Sequence, residues 1–315
     1  MGLDLLFLFL GLIVLILGGD FLVRGASSIA LKAHISPLVV GLTIVAFGTS
    51  APELFISIQS ALAGSPDLTM GNVIGSNICN LALVLGVTAI ISPIRVQSSS
   101  IKVDWPMTMG SSLLLYILVR EGFVNSHEGA IFIAILIVYT IFIIRRSRKE
   151  TKAKLAEMDE VPVEVKSNYA KDIAFILVGG IGLYYGSEWF VGGAQELARH
   201  LGVGERVIGI TVLALGTSLP ELVTAMVASF KKETDLALGN LMGSNIFNIL
   251  SILGITSLIK EIHVNDQILN TDRLWMLGIT LVILPMMLYD KILSRWEGFV
   301  LLLVYFIYTY IVIFV

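Results

Sequence analysis

Long apolar runs separated by short polar breaks make up almost the whole chain. A helix of about 20 apolar residues crosses a bilayer. On that criterion ten spans are predicted, over 3–31, 37–63, 69–92, 105–120, 127–146, 171–198, 205–230, 236–259, 273–289 and 296–314. One break is longer than the rest: residues 147–170 are polar and mixed in charge. They are predicted to be a linker between a first half, 1–146, and a second, 171–315.

The spans are interrupted by polar residues, and the interruptions occur twice. Gly41-Leu42-Thr43-Ile44-Val45-Ala46-Phe47-Gly48-Thr49-Ser50-Ala51-Pro52-Glu53-Leu54 reappears 168 residues later, from Gly209 to Leu222, with nine of fourteen positions identical. At the same offset Gly71–Asn80 matches Gly239–Asn248 at seven of ten positions. Gly11, Gly18 and Gly25 match Gly179, Gly186 and Gly193. Each half therefore holds five spans. An odd number turns the second copy upside down, so the predicted fold is an all-α membrane protein of ten helices in two inverted five-helix repeats. Such repeats are a transporter architecture, with the substrate site where broken helices of the two halves meet.

Charge sets the orientation. Arg145, Arg146, Arg148, Lys149, Lys152 and Lys154 form a basic run that places the linker in the cytoplasm and meets anionic lipid. With that placement, only Arg120, Arg199, Arg206, Lys260 and Arg273 of the 21 Lys and Arg fall outside. Both termini are then expected outside, and the first span is read as a retained helix rather than a signal peptide. Composition agrees: 56% of residues are hydrophobic, 14% are charged and mean hydropathy is +0.88. The net charge of −3 and the lack of a basic face exclude a nucleic-acid partner. A lone Cys79 permits no internal disulfide and is read as packing.

An acid at membrane depth is costly and marks a functional site by default. Glu53 and Glu221 occupy matching places in the two copies. Pro52 should break its helix just before it, freeing carbonyls from Ala46 to Thr49; Ala214 and Thr217 are the counterparts. Ser50, Ser218, Ser76 and Ser244, with Asn80 and Asn248, add hydroxyl and amide oxygens. Oxygens of these kinds suit a hard cation, and a flexible carbonyl-rich set favours Ca²⁺ over Mg²⁺. No His or Cys cluster accompanies them, which argues against zinc or copper. Without a phosphate loop, an ion gradient has to drive transport, and no cofactor is expected. Ser50-x-x-Glu53 and Ser218-x-x-Glu221 also fit a capping box, in which Glu only closes a helix start. Asn72 and Asn240 also fit as helix–helix glue. Asp20 and Glu188 are read as flanking charges.

The paired Gly-Thr-Ser-x-Pro-Glu and Gly-Asn-x-x-Gly-Ser-Asn-Ile-x-Asn blocks resemble the two alpha repeats of the sodium/calcium exchanger family, in a compact prokaryotic form. The resemblance implies that Glu53 and Glu221 bind both Ca²⁺ and Na⁺, supported by Thr49, Ser50, Ser76, Thr217, Ser218 and Ser244, and by carbonyls at Ala46, Thr49, Ala214 and Thr217. It implies that the first and sixth spans form a mobile gating pair, with Gly18, Gly19, Gly182 and Gly186 offered as flex points, while the residues themselves favour reading the glycines as packing surfaces over hinges. Potassium-dependent members have Asp where this chain has Asn248, so no potassium requirement is expected. The expected function is antiport of Na⁺ against Ca²⁺ within the lipid bilayer. A Ca²⁺/H⁺ antiporter and a Ca²⁺-selective channel remain as alternatives.

Overall fold

A computed structural model describes residues 2–157, 169–202, 216–264 and 268–314. The described chain is built from helices: α1 (Gly2–Lys32), α2 (Pro37–Thr49), α3 (Ala51–Leu62), α4 (Leu68–Ile91), α5 (Trp105–Leu118), α6 (Ser126–Glu157), α7 (Tyr169–His200), α8 (Leu219–Phe230), α9 (Thr234–Ile259), α10 (Arg273–Leu288) and α11 (Arg295–Phe314). Seven of these are long and apolar enough to cross a membrane, or eight when α2 and α3 count as one bent span. The protein is thus a multi-pass helical membrane protein.

The span at 105–120 is helical to Glu121, its last turn being 3-10, and a wide π-turn, Ser100–Asp104, extends it at the start. The span at 205–230 is described only from Gly216, and its described helix, α8, has 12 residues. The linker also differs. Residues 147–157 continue α6 as helix, because the basic run contains no Gly or Pro to stop it. Residues 158–168 lie outside the described part.

Helices α4 and α9 sit in the middle. In their most apolar windows 72% and 78% of residues are buried, against 11–33% in the other long spans. Those others expose Leu, Ile and Phe, as lipid-facing helices do. Two short antiparallel ties link distant parts of the chain. Ile94–Arg95 pairs with Ile292–Leu293, and Phe123–Val124 with Ile262–His263.

α1 and α7 run antiparallel in backbone contact. A methyl added at Gly18 would lie 2.7 Å from the Leu183 N, and one at Gly186 would lie 2.7 Å from the Leu15 N. Gly25, Gly179 and Gly193 are as tightly placed. Seven-residue spacing keeps these glycines on one face, so the two backbones meet there directly, with Phe7 against Trp189 and Phe21 against Phe175 beside the contact. Gly18 and Gly186 are therefore contact positions within continuous helices, which agrees with reading them as packing surfaces and not with reading them as flex points. One end of the seam is tied by Lys32 and Asp172, whose Nζ and Oδ2 lie 2.5 Å apart. At the other end His200 and Asp4 meet at 3.6 Å.

Candidate ion site between α3, α4, α8 and α9

The α2–α3 break positions the first acid. Ser50 leaves the helical region, with φ −87° and ψ 3°, and the two helices meet at 44°. Pro52 falls in the first turn of α3, where its missing N–H costs nothing. Glu53 then lies in that same turn, near the positive end of the helix dipole. Ser218, Pro220 and Glu221 repeat the arrangement at the start of α8, with φ −91° and ψ 4° at Ser218.

Both glutamates are 0% exposed. They lie close enough to interact electrostatically, and neither forms an ion pair with a described Lys, Arg or His. Ser50 Oγ donates to Glu221 Oε1 at 3.3 Å. Both oxygens of Glu53, and Oε2 of Glu221, have no hydrogen-bond partner among the described residues. Two buried carboxylates left this way cost many kcal/mol unless protons or cations balance them.

The capping-box alternative fails on geometry. Neither Ser50 nor Ser218 caps its own helix through its side chain. Ser50 crosses to the other acid instead, and the Ser218 hydroxyl has no nitrogen or oxygen partner among the described residues.

Most of the expected oxygens converge around the acids. Thr49 Oγ1 donates to Asn240 Oδ1 at 3.2 Å and lies 3.4 Å from Ser244 Oγ. Thr49 and Ser244 also adjoin the Glu221 carboxylate. Ser76 Oγ and the half-buried Thr217 Oγ1 are 3.5 Å apart. Apart from Ser244 beside Glu221, each of these contacts joins a residue of one sequence copy to a residue of the other. Asn80 is fully buried, and neither its Oδ1 nor its Nδ2 has a partner among the described residues. Its counterpart Asn248 is buried too, but its Nδ2 donates to Asn77 Oδ1 at 3.1 Å, leaving only Oδ1 open. Both asparagines sit in π-turns, Cys79–Val84 and Asn248–Leu253. Such turns insert a residue into the helix and often mark functional sites.

One expectation is corrected. The Ala46 carbonyl is not freed by Pro52. It accepts the Ser50 N–H at 2.9 Å and the Thr49 hydroxyl at 3.3 Å, because the helix continues to Thr49 before it breaks. Its counterpart Ala214 lies outside the described residues. Asn72 acts as glue, donating to Ser57 Oγ and to the Glu53 carbonyl, and Asn240 holds Thr49. Asp20 is a flanking charge, paired with Arg24 and Lys231 at 2.7 and 2.5 Å.

Sequence reasoning passed over Asn77 and Asn245. The Asn77 amide donates to the Asn245 carbonyl at 3.4 Å as well as receiving Asn248. Their signal was present: they are matching positions inside the repeated block. Cys79 also adjoins Ser218 and both acids, so it packs at the rim of the site.

Known proteins resemble this chain over nearly its whole length. The pattern of the family described as sodium/calcium exchanger protein matches residues 3–145 and 171–314. The chain is 36% identical over 312 residues to the putative antiporter CaxA of Alkalimonas amylolytica, covering 97% of both chains. It is 31% identical over 336 residues to the sodium/calcium exchanger MaX1 of Methanosarcina acetivorans, covering 96% of both. A solved structure of the sodium-calcium exchanger NCX_Mj, soaked with Na⁺ and Ca²⁺, superposes with a TM-score of 0.83 at 30% identity over 97% of each chain.

Proposed function

This chain belongs to the sodium/calcium exchanger family, and from that premise we propose that it exchanges Na⁺ for Ca²⁺ across the cytoplasmic membrane of a prokaryotic cell, without potassium. It is a transporter and not an enzyme. The observation that carries the proposal is the pair of buried glutamates with unpartnered oxygens, ringed by hydroxyls and amides from both sequence copies.

In this reading Glu53 and Glu221 together carry −2, which one Ca²⁺ or two Na⁺ neutralise. Thr49, Ser50, Ser76, Thr217, Ser218, Ser244, Asn80 and Asn248 complete the oxygen set. Hard cations prefer such oxygens, and Ca²⁺ tolerates irregular geometry. Both cargoes need the same two carboxylates, so their binding is mutually exclusive. An empty site leaves two bare acids, which oppose the passage of an unloaded carrier.

Alternating access follows from the duplication. Residues 1–146 and 171–315 act as inverted repeats of five spans each, with both termini outside. Exchanging their conformations exchanges the open side. The α1–α7 pair is suited to the moving part, because its glycine seam holds the two helices backbone to backbone, so that they can move against the core as one unit. Asn248, neutral and engaged with Asn77, supports potassium independence.

The test is Ca²⁺ uptake into proteoliposomes loaded with Na⁺ and diluted into Na⁺-free buffer, with Glu53→Gln alongside. Uptake that requires internal Na⁺ and is lost in the variant is expected. Uptake driven by a pH gradient without Na⁺ would replace the proposal with Ca²⁺/H⁺ antiport. Channel-like currents with no dependence on a trans ion would replace it with a pore.

A further inference from the structure

The two sequence copies pack differently around the site. Helices α3 and α8 match at the repeat offset, and each leads away from one glutamate. α1 lies along α8: a methyl added at Gly19 would sit 3.2 Å from Val223 Cγ1 and 3.7 Å from the Thr224 Cα. Val223 is 8% exposed and Thr224 is 0% exposed. Their counterparts on α3, Phe55 and Ile56, are 60% and 40% exposed. The groove beside Phe55, about 1070 Å³ between α2–α3, α6 and α7, also holds Gln59. By the repeat, α7 is the helix that would cover α3 as α1 covers α8. The fold is therefore closed on the α8 side and open on the α3 side.

The closed side carries an ion pair that the open side has no means to form. Lys231 follows the last turn of α8 and reaches Asp20 of α1, with its Nζ 2.5 Å from Oδ1. It also donates to the Asp20 carbonyl at 3.3 Å. Arg24, one turn further along α1, meets Asp20 Oδ2 at 2.7 Å. The Asp20 carboxylate thus has one base from its own helix and one from across the gap. The counterpart of Asp20 is Glu188, again an acid, but Lys231 is matched by Ala63 and Arg24 by Gly192. Neither of these can pair with a carboxylate.

We propose that Asp20 and Lys231 form a latch that holds α1 against α8 and biases the protein toward the conformation described here. The contact exists only while α1 lies on α8, so its free energy counts toward that state alone. Exchange of conformations between the repeats breaks it and makes nothing equivalent on the α3 side. Arg24 stays with Asp20 in both states, because both belong to α1. The inference rests on reading α1 and α7 as the moving pair. It does not depend on which ions are carried.

The test is alkylation of the purified full chain by N-ethylmaleimide, in a Cys79→Ser background with one reporter thiol at a time. Thr224→Cys is buried under α1, and Gln59→Cys is exposed in the groove. The α8 reporter should label slowly and the α3 reporter fast. Lys231→Gln should speed the α8 reporter roughly two- to fivefold, the shift that a partly exposed ion pair supports, without speeding the α3 reporter. Lys231→Arg, which keeps the charge, should restore the slow rate. An unchanged α8 rate in Lys231→Gln would overturn the latch. So would a rise at both reporters, which marks a loosened fold in place of an exchanged conformation. Titration with Na⁺ or Ca²⁺ separates the two premises. Rates that answer to the ions but not to Lys231→Gln keep the moving pair and remove the latch, and rates that answer to neither remove both.

Discussion

Two adjacent glycines on α7 test whether the α1–α7 seam is a true backbone contact. A methyl at Gly179 would lie 2.5 Å from the Leu22 N and 2.7 Å from the Gly18 O, whereas one at Gly180 meets nothing within 4 Å. Ordinary contact begins at 3.4 Å, so Gly179→Ala has to part the helices by about 0.9 Å. A gap of that size forfeits a quarter to a half of the dispersion attraction across the contacts it opens. Overpacking of this kind costs about 1–3 kcal/mol. Both substitutions gain about 1 kcal/mol of helix propensity. The net expectation is a loss of up to about 2 kcal/mol for Gly179→Ala and a gain of up to about 1 kcal/mol for Gly180→Ala. Thermal unfolding in detergent, followed by intrinsic fluorescence, reads the difference. Gly193→Ala and Gly192→Ala repeat the comparison one end further along, with 2.7 Å to the Asp4 O in one case and open space in the other. Equal shifts within either pair would refute the seam, because propensity alone cannot separate neighbouring glycines.

Other predictions concern the site and the clasp. Glu53→Gln removes one of two carboxylates from a divalent cargo; unit charges 4 Å apart at an effective dielectric of about 20 attract by about 4 kcal/mol. Its Ca²⁺ affinity in equilibrium binding should fall by at least about a hundredfold, and a change under tenfold would remove Glu53 from the ligand set. Asn248→Asp discards the donor that holds Asn77 and adds a third negative charge. Its Ca²⁺ transport should become dependent on an added monovalent cation or on pH, and unchanged ion dependence in flux assays would show that this position does not set selectivity. Lys32→Met strands the Asp172 carboxylate, so it should destabilise more than Lys32→Met combined with Asp172→Leu. A double-mutant cycle on unfolding should give a coupling of about 0.5–3 kcal/mol, and zero coupling would make the pair ornamental.

Much of this protein was legible in the chain because membrane insertion is decided locally. A run of apolar residues declares a span wherever it later packs. The repeat at offset 168 is likewise plain in the letters, and it singled out Glu53, Glu221 and most of the oxygens around them. Packing between the copies was not legible, since each contact joins residues more than a hundred positions apart. Ser50 looked like a cap for its own helix and proved to serve Glu221 across the interface. Asn80 and Asn248 are the same letter in the same motif, yet only Asn248 is held by Asn77. Pro52 announced a break just before it, but not which carbonyls the break would leave open. The helix runs on to Thr49, which closes the Ala46 carbonyl and throws the opening onto the side chains. The basic run 145–154 read as linker and is helix, because nothing in it opposes continuation of α6. Sequence determined what each span and each copy contains. Tertiary structure decided which polar atoms satisfy one another and which are left for cargo, because a buried donor or acceptor is paired by whatever the fold brings within about 3 Å.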